Sequence, residues 1–174
     1  MADDPDHLLL KRHRDLEGRE RNPWTRRALV SLLAVVLGLG AVNVFGQRPA
    51  TARADGSAGS LEVYAPTRLR GGVFWMARFH VRARREIRRA TLVLDPGWLE
   101  QMHLNTLEPA PIGEASRDGR IALDFGRVPP GQSLLVFMQF QVNPTNVGRH
   151  SHDVELHDGE TLLARIDRTV TVLP

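Results

Sequence analysis

Residues 28–45 are eighteen consecutive residues without a charge, and most of them are apolar. At 1.5 Å per residue, a helix that starts at Pro23 is long enough to cross a hydrocarbon layer of about 30 Å. Asn22 is a favourable N-cap, and proline suits the first helical position because no backbone donor is needed there. The pattern predicts a transmembrane signal-anchor helix over residues 23–46, in contact with membrane lipid.

Arginines are distributed unequally around this stretch. On its C-terminal side, only Arg48 and Arg53 lie within about fifteen residues. The N-terminal side has five arginines within that distance: Arg14, Arg19, Arg21, Arg26 and Arg27. The positive-inside rule then places the N-terminus in the cytoplasm and the C-terminal part outside, in a single-pass protein of the cell membrane.

A cleaved export signal is the alternative interpretation of the same segment. Arg26-Arg27 resembles a twin-arginine motif, and Ala52-Arg53-Ala54 is an A-x-A sequence that allows cleavage after Ala54. The apolar stretch is longer than the usual 7 to 15 residues of a secretory signal, which favours a retained anchor.

Two segments beside the helix lack the pattern of a folded domain. Residues 1–22 are short and mixed in charge, which predicts a cytoplasmic tail without a core of its own. Residues 47–60 are small, polar and rich in Gly, Ala and Ser, which predicts a flexible linker.

Residues 61–174 show the period-two alternation of β-strands. In 73–84, Trp75 and Phe79 fall on one face, whereas Phe74 and Met76 fall on the other. We expect eight strands, at 61–65, 73–84, 90–94, 102–107, 120–125, 134–142, 152–156 and 162–173. No helical pattern separates them, so the prediction is mainly β: one antiparallel Ig-like sandwich of about seven or eight strands. Arg168 breaks the alternation of the last strand, which predicts a bulge or a sheet edge there.

The turn sequences of this region resemble those of a known family. Residues 128–133 read V-P-P-G-Q-S before an alternating strand, and Asn143-Pro144-Thr145 and Gly148 follow it, with Gly71 and Gly72 before the long strand. This arrangement resembles the bacterial Ig-like modules grouped with the cell-adhesion-related domain. The layout of the whole chain is similar to that of small uncharacterised bacterial membrane proteins. The resemblance implies the fold and carries no activity.

Charge and cysteine content exclude several classes of function. The net charge is only +3, and it is spread along the chain, so no nucleic-acid partner is expected. The absence of cysteine excludes disulfides, thiolate metal sites and a cysteine nucleophile. Neither a catalytic constellation nor a cofactor motif is present, so we expect no enzyme and no cofactor.

The outward face of the long strand is the first candidate site. Phe74 and Met76 share that face with Arg78, Arg82 and Arg84, and apolar residues beside arginine are typical of protein interfaces. We therefore expect a protein partner in the membrane or envelope, for which this chain is an accessory subunit. The six arginines between positions 78 and 89 also allow contact with an anionic polymer or lipid.

Two further candidates remain open. Trp98, in a loop after Asp95-Pro96-Gly97, is either an exposed contact residue or a cap on the core. His150, His152 and His157 form the densest histidine region, and they suit either a solvated surface or a copper or zinc site. The alternative function is therefore an extracytoplasmic ligand- or metal-binding module.

Overall fold

The computed structural model describes residues 22–44 and 46–174. The chain divides into two compact units, and the boundary in the sequence lies between residues 45 and 46. The first contains one helix, α1 (Asn22–Ala41). The second begins at Gly46 and is a β-sandwich. The predicted cytoplasmic tail lies outside the described residues, except for Asn22.

Helix α1 is long and apolar enough to cross a membrane, as judged by the length and composition of Pro23–Ala41. It ends at Ala41, before the predicted position 46. Asn43 adopts a positive φ of 56°, its N–H donates to Gly40 O, and the Val44 N–H donates to Leu39 O. This pair of hydrogen bonds is a Schellman motif, in which asparagine is one of the few residues that tolerate the left-handed conformation.

The described part of the second unit contains twelve strands. They are β1 (Arg48–Asp55), β2 (Gly59–Arg70), β3 (Phe74–Ala83), β4 (Ala90–Leu94), β5 (Met102–Glu108), β6 (Gly113–Arg117), β7 (Arg120–Asp124), β8 (Ser133–Val142), β9 (Gly148–Ser151), β10 (Val154–Asp158), β11 (Thr161–Ile166) and β12 (Thr169–Leu173). The mainly β sandwich is thus confirmed: the eight predicted strands are present, the last of them divided into β11 and β12, and β1, β6 and β9 are added.

The strands form two sheets. Sheet 1 has the order β5-β8-β3-β2-β12-β9, and β1 also pairs with β2. Sheet 2 has the order β11-β10-β4-β7-β6. All described pairings are antiparallel except that of β12 with β2. The core lies between the sheets and consists of alternate residues of each strand, such as Phe79 and Phe140 from sheet 1 and Leu92 and Leu156 from sheet 2.

The predicted flexible linker is wrong over most of its length. Residues Arg48–Asp55 form β1, which pairs with β2 from Arg68 to Ser60. Ala52 and Ala54 pack against the core cluster. Composition missed this strand because its inward residues are alanines, whose small side chains give little hydrophobic alternation.

Arg168 marks the point where the chain passes from one sheet to the other. β11 ends at Ile166 in sheet 2, and β12 begins at Thr169 in sheet 1. The Arg168 guanidinium donates to the carbonyls of Ala65 and Pro66 at 3.0 and 3.1 Å. The predicted irregularity at Arg168 is therefore a crossing between sheets, and the arginine ties the crossing to β2.

Candidate functional site

The outer face of sheet 1 exposes large apolar side chains on two neighbouring strands. Phe74 and Met76 on β3 are 56% and 52% exposed, and Leu135 on β8 is 43% exposed. Met76 lies opposite Gln139, and His80 lies opposite Leu135, so these side chains share one face. We call this surface the Phe74 face and define it by Phe74, Met76, Arg78, Arg82 and Leu135.

The arginines of this region have different environments. The Arg78 guanidinium lies 4.3 Å from the centre of the Tyr64 ring, a cation–π arrangement. Arg82 is exposed, and no acidic partner for it occurs among the residues described. Arg84, which was predicted to share this face, follows the end of β3, and its guanidinium pairs with Asp55 at 2.6 Å.

A shallow depression of about 270 Å³ lies within the same face. Its walls include Thr51 from β1, Glu62 and Tyr64 from β2, Arg78 from β3 and Leu135 from β8. The face therefore combines apolar side chains, a fixed cation and a concavity, which are the usual components of a protein-binding surface.

The prediction that Trp98 belongs to an exposed contact surface is wrong. It is completely buried, and its indole Nε1 donates to the carbonyl of Asp153 at 3.2 Å. Its ring packs 5.1 Å from Phe79 and 5.8 Å from Trp75, measured between centroids. The alternative of a tryptophan that caps the end of the core is the one that the structure bears out.

His152 belongs to the same buried aromatic cluster. Its Nε2 donates to the Gly97 carbonyl at 3.0 Å. Burial, assisted by the positive charge of Arg168, lowers the pKa of His152 to about 3. The ring is therefore neutral at ordinary pH and packs as an aromatic side chain.

His157 lies on the other side of the molecule, on the outer face of sheet 2. Leu156 points into the core, so His157 and Glu155 point away from it. Arg117 donates to His157 Nδ1 at 3.1 Å, and His157 Nε2 donates to Glu155 at 2.9 Å. His150 lies on β9 in sheet 1 and His152 is buried in the core, so the three histidines do not converge on one site. The described residues contain no group of three His, Cys, Asp or Glu side chains that could hold a metal ion.

Glu155 is the centre of an ionic network that sequence reasoning missed. Arg120 and Arg165 contact its carboxylate at 2.8 and 3.1 Å, in addition to His157. Burial favours a higher pKa for Glu155, but the hydrogen bonds from Arg120 and His157 outweigh it and hold the pKa below its ordinary value. These residues are separated by up to 45 positions, so no local motif announces the network.

Near this network, outward-pointing side chains at the centre of sheet 2 are buried. Thr91, Val93 and Ala122 point outward on β4 and β7, yet all three are buried. A cavity of about 420 Å³ lies beside them, and four of the charged side chains in its walls form two ion pairs, Arg89 with Asp124 and Arg117 with Glu160. The centre of the outer face of sheet 2 is therefore covered by the protein's own side chains, in contrast to the Phe74 face, whereas Leu162 on the edge strand β11 is exposed.

Comparisons with known proteins add the following. No family model and no curated protein matches the chain. One similar solved structure is the CARDB (cell-adhesion-related) domain of a Pyrococcus furiosus protein, determined by NMR. It is 10% identical with a TM-score of 0.41, and the match covers 64% of this chain and 90% of that one.

Proposed function

We propose that this protein is a membrane-anchored binding module that attaches to another membrane or envelope protein through the Phe74 face and performs no catalysis. The observation that carries the proposal is the difference between the two sheets. Phe74, Met76 and Leu135 are exposed on sheet 1, whereas the outward residues of β4, at the centre of sheet 2, are buried next to an ionic network. Exposed apolar clusters of this kind mark interaction sites on soluble domains.

The chemistry of the Phe74 face suggests the chemistry of its partner. Arg78 and Arg82 lie on the same strand face as Phe74 and Met76, and Arg82 is exposed. We propose a partner surface that supplies apolar side chains for the centre and a carboxylate for Arg82. Arginine at such a site contributes directed hydrogen bonds as well as charge.

Helix α1 supplies the anchor in this proposal. Its length and composition support a membrane span, and the arginines before it favour a cytoplasmic N-terminus with residues 47–174 outside. The position of β1 supports retention of the helix. Cleavage after Ala54 would remove every residue of β1 except Asp55 and leave the paired edge of β2 uncovered.

Site-specific photo-crosslinking tests the proposed surface. A p-benzoylphenylalanine is placed at Met76 in the full chain, expressed in its own membranes, and the crosslinked species is identified by mass spectrometry. Leu162 on β11 provides the matched control, because it is 51% exposed against 52% for Met76 but lies in the other sheet. We expect one defined adduct from position 76 and none from position 162.

Charge reversal gives the second arm of the experiment. Arg82→Glu is expected to abolish the adduct at position 76 by opposing the partner's carboxylate, whereas Arg88→Glu, an exposed arginine outside the Phe74 face, is expected to retain it. Equal adduct yields in both variants, or equal yields from positions 76 and 162, would contradict the proposal.

A further inference from the structure

A second group of arginines gathers at one end of sheet 1, apart from the Phe74 face. Arg48 on β1 lies opposite Arg68 on β2, Arg68 lies opposite Thr171 on β12, and Thr171 lies opposite Arg149 on β9. Directly opposed residues project to the same face of a sheet. Arg70, two positions after Arg68, projects to that face as well.

The four arginines all lie where their strands begin or end. β1 starts at Arg48, β2 ends at Arg70, and β9 starts at Gly148 next to Arg149. Val172 and Val170 point into the core, so Thr171 and its neighbours in this row point outward. We call this surface the arginine end and define it by Arg48, Arg68, Arg70 and Arg149.

The arginine end has no acidic residues of its own. Segments 46–54, 63–71, 143–152 and 168–174, which contribute to it, contain neither aspartate nor glutamate. Arg48, Arg70 and Arg149 are exposed and have no ion pair with any described residue. The positive charges of these three side chains repel one another, and an external anion would offset that repulsion.

The short connection between α1 and β1 indicates which anions lie within reach of the arginine end. The Schellman motif closes α1 at Val44, and β1 begins at Arg48, four residues later. Four residues span at most about 14 Å when fully extended. If α1 spans a bilayer, Arg48 therefore remains within reach of the headgroups that flank the helix.

We propose that the arginine end binds anionic lipid headgroups of the membrane in which α1 is anchored, and thereby holds the sandwich against the bilayer surface. The inference rests on the proposed function for the anchor, but not on the Phe74 face. The interaction requires negatively charged lipid, because the contact is made by guanidinium groups with phosphate.

A spin label at one position tests this contact in the full 174-residue chain. The chain lacks cysteine, so Thr169→Cys provides a single labelling site on an exposed position of β12. The labelled full chain is reconstituted into nanodiscs of phosphatidylcholine alone or mixed with phosphatidylglycerol. Relaxation of the nitroxide by a nickel-chelating lipid reports its proximity to the bilayer, at low and at high salt.

We expect strong relaxation in the phosphatidylglycerol discs at low salt, with weak relaxation at high salt and in phosphatidylcholine. Each arginine contributes roughly a fivefold effect at an anionic surface. Arg70→Glu with Arg149→Glu should therefore reduce the contacting population by more than about tenfold. The matched control is Arg85→Glu with Arg88→Glu, two exposed arginines beyond the opposite end of β3, which should leave the relaxation unchanged.

The outcomes separate this inference from the proposal on which it rests. Failure of the chain to insert into nanodiscs of either composition would overturn the anchor, and the lipid contact with it. Insertion with equal relaxation in both lipids, or equal losses in both double variants, would overturn the lipid contact alone. A binding site for an acidic protein instead of lipid would leave Thr169 unrelaxed in phosphatidylglycerol discs, which also overturns it.

Discussion

The imidazole of His152 stacks on the indole of Trp98, with ring centroids 4.4 Å apart and planes inclined by 25°. Trp75 lies 5.8 Å from the same imidazole, and the Arg168 guanidinium lies 5.6 Å from the Trp98 ring. A histidine that the sequence places among candidate metal ligands is therefore part of the aromatic core, and a protonated ring there would face a second cation.

The stability of the sandwich should consequently depend on the protonation of His152. Its pKa is about 3 in the folded protein and 6.5 in the unfolded chain. As the pH falls, His152 is protonated in the unfolded chain before it is protonated in the folded protein. Its contribution to the free energy of unfolding is therefore complete above pH 6.5 and is lost between pH 6.5 and pH 3. At 1.36 kcal/mol per unit, the loss from pH 6.5 to 5 is about 2 kcal/mol.

Urea unfolding of the full chain in detergent, followed by tryptophan fluorescence at several pH values, measures this loss. His152→Phe keeps an aromatic ring beside Trp98 and should flatten the pH dependence between 5 and 6.5. His103→Gln, at an exposed position of β5, should leave it unchanged. A His152→Phe curve that remains parallel to the wild-type curve would contradict the assignment.

Glu155 should contribute to the free energy of unfolding through its ion pairs on the outer face of sheet 2. Glu155→Gln leaves Arg120 and Arg165 without their shared carboxylate. Hydrogen bonds to a buried charged group contribute about 1.5–3 kcal/mol, so we expect a loss of unfolding free energy in that range. Because the pKa of Glu155 is held low, the wild-type contribution should persist above pH 4.5 and decline below it.

Asp167→Asn provides the control for this network, since Asp167 pairs with the same Arg165 but is exposed. Surface ion pairs contribute little, and its removal should hardly change the urea midpoint at pH 7. Equal shifts from Glu155→Gln and Asp167→Asn would show that the buried network does not stabilise the sheet.

Gly119 should be required in the β6–β7 hairpin. Asp118 and Gly119 form its two-residue turn with φ of 51° and 76°, as a type I′ turn demands. Gly119→Ala forces a side chain into the left-handed conformation and should cost about 1 kcal/mol. Gly113→Ala is the control, because that residue lies in β6 and a new Cβ would meet only the Asp124 Cβ at 3.8 Å. Thermal melts that do not distinguish the two variants would refute this role.

The parts of the fold that depend on local pattern were predictable. The alternation at Trp75 and Phe79 predicts the inward face of β3, and both residues lie in the core. The side chains at Phe74, Met76 and Arg82 are exposed as predicted, although their binding role stays a prediction.

Features that depend on distant partners were not predictable in the same way. Whether His157 faces solvent or Glu155 depends on Arg117 and Arg120, which lie about 40 residues away along the chain. The arginine end likewise arises because β1, β2, β12 and β9 meet at one edge of the sheet. Sequence spacing carries no record of either arrangement, because the pairing of strands creates them.

Strand β1 offers a direct test of the difference between composition and structure. If residues 48–55 are paired with β2, the amides of this segment that donate to β2, about every second one, should exchange slowly together with those of β2 in the full chain. Ser57 and Ala58, in the turn between β1 and β2, provide the internal control and should exchange rapidly. A flexible linker would instead exchange rapidly throughout 48–58. Uniformly rapid exchange would therefore remove β1 from the sheet, and with it the argument against cleavage after Ala54.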